Sequence, residues 1–248
     1  MIPAMLWPPS SQEINRVLHE MRLAAFDPQG VEDLRAVRLD PAGEHGAAPS
    51  FEFTPGQFLP VYAPSGEASY FAIASAPGER HYDLLVKRAN GCSMELFDLP
   101  IGAVVRVVGP QGKGFPLAPH AGRDVLLIGV GTGIAPLRSV LGWALARRAE
   151  FGRVILLHGV LTPRHWCYEG EFPAWRAAGV DARVTVTSAG DDASWSGPIG
   201  FVQDLLPALD LNPAHTVACL VGMKDMVAAN TTILRAMGVP PDQILLNF

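Results

Sequence analysis

The stretch Asp124 to Leu141, DVLLIGVGTGIAPLRSVL, constrains the fold more than any other part of the chain. An unbroken apolar run, Val125 to Ile128, has the pattern of a strand buried on both faces. It passes without a polar linker into glycines at 129, 131 and 133. Pro136 follows where a first helical turn accepts it, because its missing N–H is one that finds no partner there anyway. Leu137, Val140, Leu141, Ala144 and Leu145 then recur at helical spacing. Strand, glycine turn and helix in that order aim free backbone N–H groups and the positive end of a helix at one spot. The absence of side chains there admits a large anion such as a dinucleotide pyrophosphate. A tight strand-to-helix connection with nothing bound fits the glycines as well. The spacing also departs from Gly-x-Gly-x-x-Gly, since counting from Gly131 the third glycine is replaced by Pro136.

The chain has 248 residues, 49% of them hydrophobic, and a net charge of −5, which describes a globular chain long enough for two ordinary domains. No basic run or aromatic-interleaved basic patch points to nucleic acid. No segment has the apolar length of a membrane span and the start lacks a signal-peptide pattern, so a cytoplasmic address is expected. Cys92, Cys167 and Cys219 are widely spaced and form no Cys-x-x-Cys pair, and the seven histidines show no pair at ligand spacing. No metal is expected.

The chain opens on a Pro-rich piece in which Ser10 and Glu13 form a capping pair for a short helix through Leu18. From about 21 to 118 come short segments of strand type: Leu34 to Leu39, Gln57 to Tyr62, Tyr70 to Ala74, Tyr82 to Lys87 and Val104 to Val108. They alternate with turns such as Thr54-Pro55-Gly56 and Ala76-Pro77-Gly78, which predicts a small antiparallel barrel. Asn90-Gly91-Cys92-Ser93 leads into a single short helix, whose amino end reads either as a second anion seat or as an ordinary capped start. Gly109 to Phe115 resembles a phosphate-binding loop, but no Ser or Thr follows Lys113 and no long helix starts there, so a barrel corner is expected. Past the Pro- and Gly-rich stretch 116–122, strand patterns (Arg153 to His158, Arg183 to Thr187, Thr216 to Val221, Ile244 to Leu246) alternate with helical ones at 136–149, 169–177, 201–209 and 225–237. That alternation predicts an α/β domain, a parallel sheet covered on both faces with ligands at the carboxyl ends of its strands. The expected division is 1–118 and 119–248.

The order of motifs resembles the ferredoxin-NADP reductase superfamily from about residue 21 onward. Phe53-Thr54-Pro55-Gly56-Gln57-Phe58 is similar to its F-x-P-G-Q strand entry, Ile73 to Pro77 to its flavin-side strand, and Gly91-Cys92-Ser93 to its flavin pyrophosphate loop. Gly109 to Phe115 matches the barrel exit, Gly131-Thr132-Gly133-Ile134-Ala135-Pro136 the nicotinamide-domain signature, and Gly222 with Met226 the C-G-x-x-x-M segment. The resemblance implies a flavin-binding barrel followed by a nicotinamide-binding domain, with hydride passing from a nicotinamide to a flavin at their interface. It places the flavin on Tyr70, Phe71, Ala72, Ile73, Ala74 and Ser75, on Val86 and Lys87, and on Gly91, Cys92 and Ser93. The dinucleotide falls to residues 131–136, Ser188, Gly222, Met223 and Met226. Ala72, Gly222 and the chain-end Phe248 lie nearest the reacting rings, with Phe248 covering the flavin. The family's Gly-Ser loop spacing implies FAD rather than FMN. The iron-sulfur cysteines of related electron-transfer subunits are missing.

Several positions depart from the family pattern. Where it reads R-x-Y-S, this chain has Ser69-Tyr70-Phe71-Ala72, so the phosphate-binding arginine and the hydroxyl near the flavin N5 are absent. Lys87, Arg88 and Arg80 are candidate substitutes, with backbone groups of Ala72 to Ser75 left to hydrogen-bond the flavin's polar edge. The cysteine before Gly222 is Val221, and Met223 stands for a proline. Ser188 is followed by Ala189, Gly190, Asp191 and Asp192 rather than an arginine, so two acids face the place of a 2′-phosphate and NADH is favoured over NADPH. Arg164 is the residue that argues the other way. The expected protein is an FAD-dependent NAD(P)H oxidoreductase passing electrons to a protein partner, free flavin, ferric chelate or quinone. The alternative is a non-catalytic nucleotide-binding module with a degenerate flavin site.

Overall fold

The structure, a computed structural model, describes residues 18–43, 51–190, 192 and 194–247. The helix expected from Ser10, the acid Asp191 and the terminal Phe248 lie outside the described residues.

Among the described residues, the first half forms a six-stranded antiparallel sheet in the order β4-β3-β6-β1-β2-β5. Its strands are β1 (His19–Pro28), β2 (Leu34–Pro41), β3 (Phe58–Tyr62), β4 (Ala68–Ala72), β5 (Tyr82–Lys87) and β6 (Val104–Val107). The edges β4 and β5 meet through an Ile73 to Leu84 bridge and an Ala74 N–H to Asp83 carbonyl bond of 2.7 Å, which closes the sheet into a barrel. Met21, Leu23, Leu59, Val61, Ile73, Tyr82 and Leu84 fill its interior with no exposed surface. Strand β1 is not legible in the sequence: HEMRLAAFDP has no β-branched residue and is rich in helix formers. Pairing on both sides, with β2 and β6, overrides that preference.

Helix α1 (Gly91–Asp98) closes one end of the barrel by burying Cys92 and Leu96. Arg35 terminates it by donating to the Leu96 and Leu99 carbonyls at 3.3 Å, its guanidinium between the rings of Phe26 and Phe97. A cation there complements the negative end of the helix. The Gly109 to Phe115 loop is a barrel corner: Gln111 pairs with Phe58, and a Cβ at Gly114 would fall 2.8 Å from the Pro55 and Thr54 carbonyl oxygens.

The second half is a five-stranded parallel sheet, β11-β10-β7-β8-β9. It comprises β7 (Asp124–Val130), β8 (Val154–Val160), β9 (Val180–Val186), β10 (Thr216–Val221) and β11 (Ile244–Leu246). Val125 to Ile128 are fully buried because β7 is central, with β8 and β10 on its two sides and helices above and below. Helices α2 (Ile134–Leu145) and α3 (Phe172–Ala177) cover one face, and α4 (Lys224–Ala236) the other. The segment expected as a helix at 201–209 is a run of 3-10 turns, Val202–Ala208, with Pro207 inside it. The hydrophobic cluster beneath α2 continues into the barrel through Leu34, Ala74, Leu85, Phe115 and Leu117, so the two sheets share one packed boundary. No helix among the described residues is long and apolar enough to cross a membrane.

Candidate functional site

Strand β7 runs into a single 3-10 turn, Gly131–Gly133, and then into α2. Gly131 has φ +52°, with open space where a Cβ would stand. A Cβ on Gly133 would lie 2.9 Å from the Val221 carbonyl oxygen, so this glycine lets α2 start against β10. Neither the turn nor α2 receives a side-chain cap, so its first N–H groups have no protein side chain as partner. That arrangement fits a pyrophosphate. Ile134, Ala135 and Pro136 are buried, and Pro136 costs the first turn no hydrogen bond.

Four large apolar side chains stand exposed just past the carboxyl ends of the parallel strands: Leu161 (58%), Ile199 (64%), Phe201 (59%) and Met223 (72%). An apolar rim there beside an uncapped helix start fits the aromatic ends of a dinucleotide. Gly222 turns the chain out of β10 with φ +156° and packs on Met226 and Val130. Met226 is buried, so it supports this corner from beneath. Ser188 is exposed and accepts a hydrogen bond from the Gly190 N–H at 3.1 Å. A groove of about 740 Å³ along the outer edge of β9 brings Arg164 together with Arg176, Arg183, Asp192 and Ser194.

On the barrel, the structure corrects several expectations about the flavin. Phe71 is buried in the barrel core opposite Leu59, whereas Tyr70 is half exposed and meets Phe58 edge-on at 5.4 Å. Strand alternation thus leaves Tyr70 as the outward ring. The backbone N–H groups of Ile73 and Ala74 are taken by Gln57 and Asp83, and Ser75 donates to the His81 carbonyl while accepting from Asp83 N–H. Ala72 is half buried opposite Phe58. Val86 points into the barrel.

The substitute cations are also displaced. Lys87 lies 3.7 Å from Asp33, and Arg88 is paired with Asp98 at 2.9 Å at the far end of α1. Arg80 precedes β5 while α1 follows it, about 17 Å of strand away. At the amino end of α1, Gly91 has φ +52° and a Cβ there would meet Glu67 Oε2 at 2.5 Å. The Ser93 hydroxyl donates to the Asn90 carbonyl, and burial raises the Cys92 thiol. Glu67 is exposed and free to swing aside, so the helix end still fits a phosphate, in a groove whose other acids are Glu95 and Asp98. Ser65 holds Glu95 through its N–H and hydroxyl.

Between the halves lies an ion network that no sequence motif signals. Asp83 accepts two bonds from Arg38, at 2.9 and 3.2 Å, and lies 3.3 Å from Arg138 and 3.5 Å from His81, which is 3.2 Å from Glu79. Burial pushes the Asp83 carboxyl up, but His81 and Arg38 together outweigh it and hold it well below the usual range. Asp83 and then Glu79 raise His81 from 6.5 to about 9. The stability this histidine contributes is therefore complete below pH 6.5 and lost as pH climbs through about 9. Thermal unfolding measured across that window is expected to weaken with rising pH, and less so in His81→Gln. Equal slopes in the two proteins contradict the pairing. Glu79, His81 and Asp83 could converge on a cation, but the two guanidiniums at Asp83 oppose one. The available signal was charge in apolar segments, Arg138 in α2 and Asp83 in β5, each requiring a partner.

Comparison with known proteins agrees with this geometry. Residues 127–231 match the model of the oxidoreductase NAD-binding domain. Ferredoxin--NADP reductase B of Sorangium cellulosum is 33% identical over 238 residues, covering 89% of this chain and 93% of its own. Sulfhydrogenase 1 subunit gamma of Pyrococcus furiosus is 28% identical over 201 residues, covering 80% and 69%. The solved ferredoxin reductase in carbazole 1,9a-dioxygenase superposes with a TM-score of 0.77 at 26% identity over 93% of this chain and 68% of its own. With a barrel, a parallel sheet, an uncapped glycine turn at the carboxyl end of β7 and a ferredoxin--NADP reductase relative 33% identical across 89% of this sequence, the chain belongs to the ferredoxin-NADP reductase superfamily.

Proposed function

We propose that the protein is an FAD-dependent NAD(P)H oxidoreductase that prefers NADH and delivers electrons to an acceptor outside its own chain. Residues 1–118 form the flavin-binding part and 119–248 the nicotinamide-binding part. FAD, when bound, supplies the redox chemistry: it takes up a hydride from the nicotinamide and gives the electrons on. The chain's own groups bind and orient. The Gly131–Gly133 turn and the amino end of α2 receive the dinucleotide's pyrophosphate, with Gly222 and Met223 beside its nicotinamide and Phe201 beside its adenosine. Tyr70 offers its face to the flavin, and Gly91 to Ser93 receive the flavin phosphates once Glu67 moves away. Ala72 offers no hydroxyl, so proton delivery at that edge of the flavin falls to water.

The observation that supports this reading is that α2 begins at the glycine turn and packs its side on Ala74 and Ala76, just past β4, so the helix that starts at the one proposed seat rests beside the strand of the other. The acids after Ser188 support NADH, since Asp192 shares the groove of Arg164 and weakens its appeal to a 2′-phosphate. Relatives named as ferredoxin reductases support a protein acceptor first, with free flavin, ferric chelate and quinone behind it. They also disfavour the non-catalytic alternative. The test is anaerobic reduction of the FAD-loaded protein, with NADH expected to act at least about tenfold faster than NADPH, which corresponds to about 1.4 kcal/mol of repulsion between the acids and the 2′-phosphate. Equal or reversed rates overturn the coenzyme choice.

A further inference from the structure

Arg138 is the one charged residue of α2, five residues after Gly133 and so about 7.5 Å along the axis from the dinucleotide turn. Its guanidinium spans the boundary between the two sheets. Nη1 donates to the Ala74 carbonyl at 2.9 Å and lies 3.3 Å from Asp83 Oδ2, while Nε donates to both Glu171 oxygens at 2.9 Å. The Tyr168 ring lies 5.0 Å from the guanidinium carbon. Ala74 and Asp83 belong to the barrel closure next to the flavin strand, and Glu171 to the segment leading into α3. One turn further along α2, a Cβ on Gly142 would fall 2.9 Å from Ala76 Cβ. The helix face bearing residues 138 and 142 is thus docked on residues 74–76 at contact distance, with a charged fork at one point and bare backbone at the next.

We infer that Arg138 is a positioning residue that, with Gly142, fixes the spacing between the dinucleotide turn and the flavin strand and so the closeness of the two reacting rings. The inference rests on the two-cofactor reading proposed above. Arg138 hydrogen-bonds the Ala74 carbonyl and the Glu171 carboxylate and reaches Asp83, which Arg38 and His81 hold in turn, so it acts through the placement of α2. A lysine gathers its three donors at one nitrogen in place of a planar fork, so it cannot reach acceptors that here lie against two separate nitrogens, Nε and Nη1. Hydride transfer is steeply sensitive to such spacing, a displacement of about 1 Å costing about 100-fold.

The test uses the full chain loaded with FAD, as wild type, Arg138→Lys, Arg138→Gln and Gly142→Ala. FAD and NADH affinities, the rate of flavin reduction, and the long-wavelength charge-transfer absorbance of stacked nicotinamide and flavin are measured for each. The variants are expected to bind both cofactors within about threefold of wild type, to lose about 10- to 100-fold in reduction rate, and to show a weakened charge-transfer band. Gly142→Ala leaves every charge in place, so it carries the test alongside Arg138→Lys should Arg138→Gln not fold. Variants with the wild-type band and rate overturn the inference, and so does a loss of FAD affinity equal to the loss of rate, which marks a binding role. A wild-type protein that binds FAD and is reduced by neither coenzyme overturns the functional reading itself, and this inference with it.

Discussion

Gly133→Val is expected to abolish nicotinamide dinucleotide binding while leaving flavin binding intact. The first added carbon would stand 2.9 Å from the Val221 carbonyl oxygen and 3.3 Å from Val221 Cγ1. The nearest obstacle is backbone of β10, a strand paired on both sides, so it cannot yield as a flexible side chain does. The start of α2 must move instead, carrying the free N–H groups away from the pyrophosphate, and the branched methyls then crowd the space the ligand needs. Overpacking of this kind costs about 1 to 3 kcal/mol of stability, which a domain of this size tolerates. Losing the pyrophosphate contacts is expected to raise the NADH dissociation constant at least about 100-fold, near 2.8 kcal/mol. Calorimetric titration of the FAD-loaded variant checks this, and an NADH affinity equal to wild type removes the turn from the site.

Glu67→Arg is expected to act in the opposite direction, tightening FAD. Glu67 Oε2 lies where a Cβ of Gly91 would reach it, beside the amino end of α1, and so sets a carboxylate at the place where, on the reading proposed above, a flavin phosphate binds. The chain also lacks an arginine at position 69, and the neighbouring cations are committed elsewhere, Arg88 to Asp98 and Lys87 toward Asp33. Exchanging the carboxylate for a guanidinium removes a repulsion and adds a charge-assisted bond worth about 1.5 to 3 kcal/mol, or about 10- to 100-fold in affinity. The gain should shrink with added salt, because the side chain is exposed. Glu95→Gln is expected to do less, since Ser65 holds that carboxylate in place. Fluorescence titration of FAD at low and high ionic strength distinguishes these outcomes. An affinity unmoved by Glu67→Arg places the flavin phosphates elsewhere.

The parts of the fold legible in the sequence were those with a strong local signal. The run Val125 to Ile128 followed by Gly131, Gly133 and Pro136 specifies a strand, a turn and a helix within eighteen residues, and strand β5 was legible to its ends. Strand β1 was not, because its residues prefer a helix and only pairing with β2 and β6 makes it extended. The parity of β4 was hidden for a related reason: Tyr70 and Phe71 are both aromatic, so composition leaves open which faces the core, and register with Leu59 decides it. Contacts such as Arg138 with Ala74 and Asp83 join positions more than fifty residues apart, which no spacing rule predicts. Glu67 reads in the sequence as one more exposed acid in a turn. Its position beside Gly91 exists only once the barrel has closed under α1.

Anaerobic titration of the FAD-loaded protein with NADH tests most directly whether two cofactors meet at the boundary between barrel and sheet. The flavin's visible absorbance is expected to bleach in proportion to added NADH and to recover when an electron acceptor is admitted. Flavin that is bound at full occupancy yet stays oxidised with either reduced coenzyme in excess contradicts it.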